Sequence, residues 1–168
     1  MGNLSIDSVF LEAEENRRAG KTAIAESLYR RVLQEQPRHV PSLRALAQLA
    51  RRRGGWQNAL RLLRIAAEEA PNVPAIHFDL ATCYRHIGLN EESLKHYRKA
   101  LALDPNNSAS LLDYGNTLII AGFVEKAAEQ FKNALAISAT SPSIHNSLGF
   151  ALLSLGRADE AMLTTSLS

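Results

Sequence analysis

"RKALALDPNN", residues 98–107, carries an apolar helical pattern straight into Asp104-Pro105-Asn106-Asn107. Proline has no N–H and its ring clashes with the preceding turn, so a helix stops here. The stop recurs. Prolines stand at Pro37, Pro71 and Pro105, 34 residues apart each time. Glycines stand at Gly20, Gly54, Gly88, Gly122 and Gly156, again 34 apart, and the first three precede those prolines by 17. Two residue types locked in one register mark a tandem array.

Each half-period holds apolar residues at helical spacing. Ile76, Leu80, Tyr84 and Ile87 form one stripe, and Leu94, Tyr97 and Leu101 form the next. The unit is therefore two antiparallel helices. Glycine closes the first in a left-handed C-cap, and proline closes the second. Ser141-Pro142 reads as an N-cap followed by proline at the first helical position. Ser108 reads as another cap. Asn90 reads as a helix start before Glu91 and Glu92, acids that the helix dipole favours, with Glu91 spaced to pair with Lys95.

The chain has 168 residues, 46% hydrophobic and 21% charged, which fits one domain with an ordinary core. A net charge of +2 gives no argument for nucleic acid. The charge is uneven: twelve Lys/Arg against eight Asp/Glu up to Pro71, then seven against nine. A single cysteine, Cys83, excludes an internal disulfide. The start, "MGNLSIDSVF", lacks the features of a signal peptide, and no stretch approaches a membrane span. A cytoplasmic protein is expected.

A 34-residue two-helix unit with this punctuation resembles the tetratricopeptide repeat. The third unit reads Leu80-Ala81-x-x-Tyr84, then Tyr97, Ala100 and Pro105, with Ser93 where alanine is usual. The fourth reads Tyr114-Gly115-x-x-Leu118, Ala127-x-x-x-Phe131 and Ala134. The second reads Leu46-Ala47-x-x-Ala50, Ala59-x-x-x-Leu63, Ala66 and Pro71, and the fifth opens with Leu148-Gly149-x-x-Leu152 and Ala161. The resemblance implies an all-α, right-handed α-solenoid of tandem 34-residue repeats. It implies one array over 5–168 after a short tail at 1–4, with repeats at about 6–39, 40–73, 74–107, 108–141 and an incomplete 142–168. Ala13, Ala47, Ala81, Gly115 and Gly149 take the closest helix–helix approach, facing Ala25, Ala59, Ala127 and Ala161. Tyr29, Tyr97 and Phe131 fill the space toward the neighbouring unit.

The pattern lapses at the ends. Glu12 and Asn16 hold the first unit's Leu and Tyr places, Ala139 stands where a proline is due, and Thr165 replaces the last aromatic. An unfinished terminal unit exposes apolar surface. Leu148, Leu152, Leu155 and Met162 are therefore expected to be weakly protected, or covered by self-association or a further segment.

Little in the sequence carries covalent chemistry. There is no Gly-rich phosphate loop, no HExxH, and no assembly of nucleophile, base and orienting group, so the chain is not read as an enzyme. No cofactor or metal is expected. His77 and Asp79 point to different faces. His77 and His145 hold matching places and read as packing histidines. Cys83 and His86 share a helix, but Cys83 lies on the buried side and behaves as a small hydrophobe.

In tetratricopeptide arrays the first helices line a concave face where partners bind. The places resembling that groove form rows: Arg17, Arg51, Arg85, Ile119 and Leu153; Arg18, Arg52, His86, Ile120 and Ser154; Phe10, Arg44, Phe78, Leu112 and Asn146; Glu14, Gln48, Thr82, Asn116 and Phe150. The competing reading is that the arginines complement helix dipoles, at about 0.3–1 kcal/mol each, with Glu14 pairing to Arg18 along its own helix. Dipoles do not explain why units four and five abandon the cation. The expected function is thus a non-catalytic scaffold holding a peptide or partner helix, basic at the N-terminal repeats and apolar at the C-terminal ones. Its partner would carry acidic and apolar residues. Arg51 and Arg52 would then be removable with little loss of stability.

The family's clamp for chaperone tails uses Lys and Asn where this chain has Phe10, Glu14, Arg44, Gln48, Phe78 and Thr82, which disfavours that role. Two other readings stand beside the scaffold. "IHNSLGFALLSLGRADEA" is similar to units that precede glycosyltransferase or sulfotransferase domains in some bacterial proteins, which would make this a recruiting arm. A nucleic-acid-binding solenoid would use the arginines, but the acidic second half opposes it.

Overall fold

The computed structural model describes residues 5–156. Among them it contains nine α-helices: α1 (Ile6–Arg18), α2 (Thr22–Glu35), α3 (Val40–Arg52), α4 (Trp56–Glu69), α5 (Pro74–His86), α6 (Asn90–Leu103), α7 (Ser108–Ile120), α8 (Val124–Ile137) and α9 (Pro142–Ser154). The odd-numbered helices begin at 6, 40, 74, 108 and 142, and the even-numbered at 22, 56, 90 and 124. The sequence period of 34 is thus the period of the helices, and the fold is an all-α repeat solenoid. The chain divides into two compact units, residues 1–83 and 84–168, with α5 crossing the boundary.

The turn inside each repeat is set by its glycine. At the end of α1, the Gly20 N–H donates to Arg17 O at 3.2 Å and the Lys21 N–H to Asn16 O at 2.9 Å. That pair of bonds needs a left-handed residue between helix and exit, and Gly20 sits at φ +74°. The other four period glycines have φ between 73° and 83°.

The stop in "LDPNN" is built from three residues. α6 ends at Leu103, and the Asp104 N–H closes onto Ala100 O at 2.9 Å. The cap of α7 is Asn107, one residue before the Ser108 that sequence alone suggests. Its Oδ1 accepts from the Ser110 N–H at 2.9 Å while its Nδ2 donates to Asp104 Oδ2 at 3.0 Å. A side-chain amide can do both at once, and a hydroxyl at 108 is already inside the helix. Asn90 is likewise the first helical residue of α6, with Leu89 as its cap. Ser141 is the cap of α9, although its side chain makes no capping bond. Pro142 at the first turn supplies the preset φ instead. Proline is not needed to end a second helix: α8 stops at Ile137, with Ser138 at φ −129° and its N–H on Ala134 O at 2.9 Å, before Ala139.

The small-residue contacts fall where the pattern places them. In the first unit Ala13, Ala25, Tyr29, Ala47, Ala59 and Leu63 are fully buried. In the second, Ala127, Phe131, Ala134, Ile144, Leu148 and Leu152 belong to one core. Leu148 and Leu152 are therefore not a weakly covered edge, and Leu155 packs against the same core. Ala161, Met162 and Thr165 lie outside the described residues. The two matching histidines are buried and each fastens a turn. His77 Nε2 donates to Pro71 O at 2.8 Å and His145 Nε2 to Ala139 O at 2.7 Å.

Gly115 lies against Phe131 with no room for a side chain. A Cβ built there would meet the Phe131 ring, with Cδ1 and Cζ both only 2.9 Å away. Helix propensity alone favours Gly→Ala by about 1 kcal/mol. With Phe131 fully buried and its ring fixed, Gly115→Ala is expected instead to destabilise by about 1–3 kcal/mol in a thermal or denaturant melt.

Candidate functional site

The first-helix residues divide by unit. In the first, the centre is Asp79 on α5, only 3% exposed. Arg44 Nε donates to its Oδ2 at 2.8 Å, Arg51 Nη1 donates to its Oδ1, and Gln48 Nε2 reaches Oδ2 at 3.5 Å. A buried carboxylate costs too much to leave alone, and two guanidinium groups compensate it here. Arg44, Gln48 and Arg51 are thus already engaged in joining α3 to α5. Arg17 is engaged elsewhere: its Nη2 lies 2.6 Å from Glu14 Oε2 on its own helix, and Glu14 also accepts from the Tyr29 hydroxyl. The Arg17 hydrogen bond holds the Glu14 carboxyl below the usual range against the opposing pull of burial. Glu14 therefore pairs with Arg17, three residues on, rather than with Arg18.

The second unit repeats the device. Arg85 lies 3.8 Å from Asp113. The spacing is the same, since 79 − 51 = 113 − 85 = 28. Position 45, which is 28 after Arg17, holds alanine, and Arg17 turns to Glu14. Position 147, which is 28 after Ile119, holds serine, and the cation is gone. Toward the C-terminus the arginine row ends where its aspartate row ends, whereas at the N-terminal end Arg17 outlasts its aspartate and pairs with Glu14 instead. Asp79 is the residue that sequence reasoning missed, and the 28-residue Arg–Asp spacing was the signal that could have found it.

The remaining predicted residues differ in exposure. Arg18 and Arg52 are exposed at the ends of α1 and α3. Arg52 lines a cavity of about 380 Å³ with Gln48, Arg51, Trp56 and Asp79. Phe78 is half-buried. Thr82 is buried, and its hydroxyl donates back to Phe78 O at 3.0 Å. His86 is exposed. On α7, Leu112, Asn116 and Ile119 are half-buried and Ile120 is 58% exposed. Asn116 Oδ1 accepts from the Ser147 hydroxyl of α9 at 3.3 Å. On α9, Phe150 and Leu153 are 59% and 58% exposed, near one face of the helix with Asn146. Among the described residues no three His, Cys, Asp or Glu side chains gather as metal ligands, and no helix is long and apolar enough to cross a membrane.

Comparison with protein families matches residues 44–108 and 96–129 to the tetratricopeptide repeat and residues 115–156 to the TPR repeat. These matches run without a gap from 44 to 156, over helices that keep the 34-residue period. The chain is a tetratricopeptide repeat protein. Proteins of this family are typically protein-binding scaffolds without catalysis. The fold is also that of the crystal structure of MamA, at 20% identity and a TM-score of 0.86 over 92% of this chain and 91% of that one. TTC0263, a thermophilic TPR protein in Thermus thermophilus, shares it at 24% identity and a TM-score of 0.71, over 95% and 88% of the two chains. A search of curated proteins finds no match.

Arg51 and Arg52 are adjacent in sequence but differ in role. Arg51→Ala removes a charge-assisted bond to a buried carboxylate and is expected to destabilise by about 1.5–3 kcal/mol. Arg52→Ala is expected to stay within about 0.5 kcal/mol of the parent in the same denaturant titration. Near this network, burial pushes the Cys83 thiol up to about 11, with Arg51 opposing the shift. Cys83 is expected to ignore Ellman's reagent in the native protein and to react on unfolding.

Proposed function

We propose that the chain is a non-catalytic protein-binding scaffold that holds a peptide or partner helix against its first helices. The observation that carries this reading is the exposure of Ile120, Phe150 and Leu153 on α7 and α9, at 58%, 59% and 58%. Three large apolar side chains left in water on contacting helices forgo burial worth about 25 cal/mol per Å², which a partner's apolar surface would recover. A partner's apolar side chains belong there. The basic part of the reading rests on Arg18 and Arg52, the exposed arginines of α1 and α3, rather than on the engaged Arg17, Arg44 and Arg51. Acidic residues of the partner belong beside those two.

The test starts from a partner captured by the folded chain and titrated against two variants. Ile120→Asp should weaken binding by about 1–2 kcal/mol without changing the melting temperature. Arg52→Ala should weaken it less and flatten its salt dependence. A captured partner that binds both variants as tightly as the parent would sink this reading.

A further inference from the structure

A cavity of about 610 Å³ opens between α2, α3 and α4, on side chains that the first-helix face does not use. Leu33, Leu46, Leu62 and Ile65 supply its apolar lining. Its polar lining includes Glu26, Arg30, Arg53 and Arg61. That volume falls within the range of ligand sites, about 300–1,000 Å³.

The opening has a cause in the sequence. Ala50 holds the place occupied by Tyr84, Leu118 and Leu152 in units three to five. Those three side chains are 6%, 3% and 1% exposed, so the place is filled wherever a large residue stands in it. Gly55, at the rim, holds the place of Leu89 and Phe123, which are 46% and 47% exposed. Its φ is −80°, so the backbone there does not demand glycine. The second repeat is thus cut back at Ala50, a place buried in the later repeats, and at the rim beside it, Gly55. Space left beside apolar walls forfeits their packing contacts, and an occupant restores them.

The rim selects the occupant. Glu26 accepts from Arg30 Nη2 at 2.5 Å and from Arg53 Nη1 at 2.7 Å. Arg61 meets the neutral Asn58 amide oxygen at 3.2 Å. Three cations share one carboxylate, a balance of +2 (3 − 1) around an apolar floor. Guanidinium groups favour carboxylates through paired N–H donors. We infer that this cavity is a second docking site, which takes the bulky apolar side chains of an acidic segment of a partner protein. It goes beyond the first-helix reading, since none of Ile120, Phe150 and Leu153 lines it.

A random dodecapeptide phage library panned on the whole chain supplies the probes. Enriched peptides, made synthetically, are titrated by fluorescence anisotropy against the parent, Ala50→Leu, Arg61→Glu and Ile120→Asp. At least one enriched group should set Asp or Glu around Leu, Phe or Trp. That group should lose about tenfold or more in affinity on Ala50→Leu and about fivefold on Arg61→Glu, and keep its affinity for Ile120→Asp. Ala50→Leu should melt no lower than the parent, because leucine enters space already present. Should it fail to fold, Arg61→Glu, on an exposed side chain, decides the matter. An empty selection, or peptides indifferent to both cavity variants, would overturn the inference. Peptides sensitive to Ile120→Asp alone would also overturn it while supporting the first-helix face.

Discussion

The left-handed turn at each period glycine is the constraint on which the rest of this array depends. It reverses the chain within a few residues, so the two helices of a hairpin start in a fixed relative phase. That phase brings Ala13 and Ala25, Ala47 and Ala59, and Gly115 and Ala127 to full or nearly full burial. Ser93, also fully buried, takes the second-helix place in the third repeat, and a long or branched side chain there would hold the axes apart. The large residue at the adjoining place, Tyr29, Leu63 or Phe131, then finds its space defined on all sides, and each is fully buried. Phase, close approach and ring packing are one constraint expressed three times, which is why the helix starts keep the period of 34 to the residue.

Charge follows the same period for a different reason. A buried aspartate in a helix is expensive unless a cation meets it, and Asp79 is met by Arg44 and Arg51. The 28-residue spacing repeats at Arg85 and Asp113 with a looser separation of 3.8 Å, where both side chains are more exposed. Such a pair contributes less to stability than to register. It favours one alignment of neighbouring repeats over a slip by one helical turn, because a slip would strand Asp79 among apolar side chains.

The sequence carried the fold almost completely, because glycine, proline and the small-residue places are local requirements that need no knowledge of neighbours. Helix caps were less legible. Ser108 and Asn107 are both good caps by type, and only the reach of Asn107 to Asp104 decides between them. The candidate site was legible as rows but not as roles. Arg51 and Arg52 are the same residue type, yet a turn of about 100° along the helix sends one to Asp79 and the other to solvent. Reading that difference required the partner helix. The exposed apolar positions were easier, because Ile120 and Phe150 each break a row that is otherwise charged or polar.

The second repeat departs from its siblings at Ala50 and Gly55, and both line one cavity. A repeat array makes such departures interpretable in a way that a unique fold does not. Each place has sibling places in the same chain, made under the same packing rules, that show what ordinarily fills it. Truncation of one place alone reads as tolerance. Truncation of two places that share a cavity, beneath arginines whose charge one glutamate does not balance, reads as a shape kept open for something apolar and acidic. By the same comparison the 28-residue Arg–Asp rows read as internal structure, because Arg51 and Arg85 each meet their aspartate and the cation is gone where position 147 holds serine. Repetition thus separates side chains whose role in the array is shown by a matched pair in another repeat from those that no matched place accounts for.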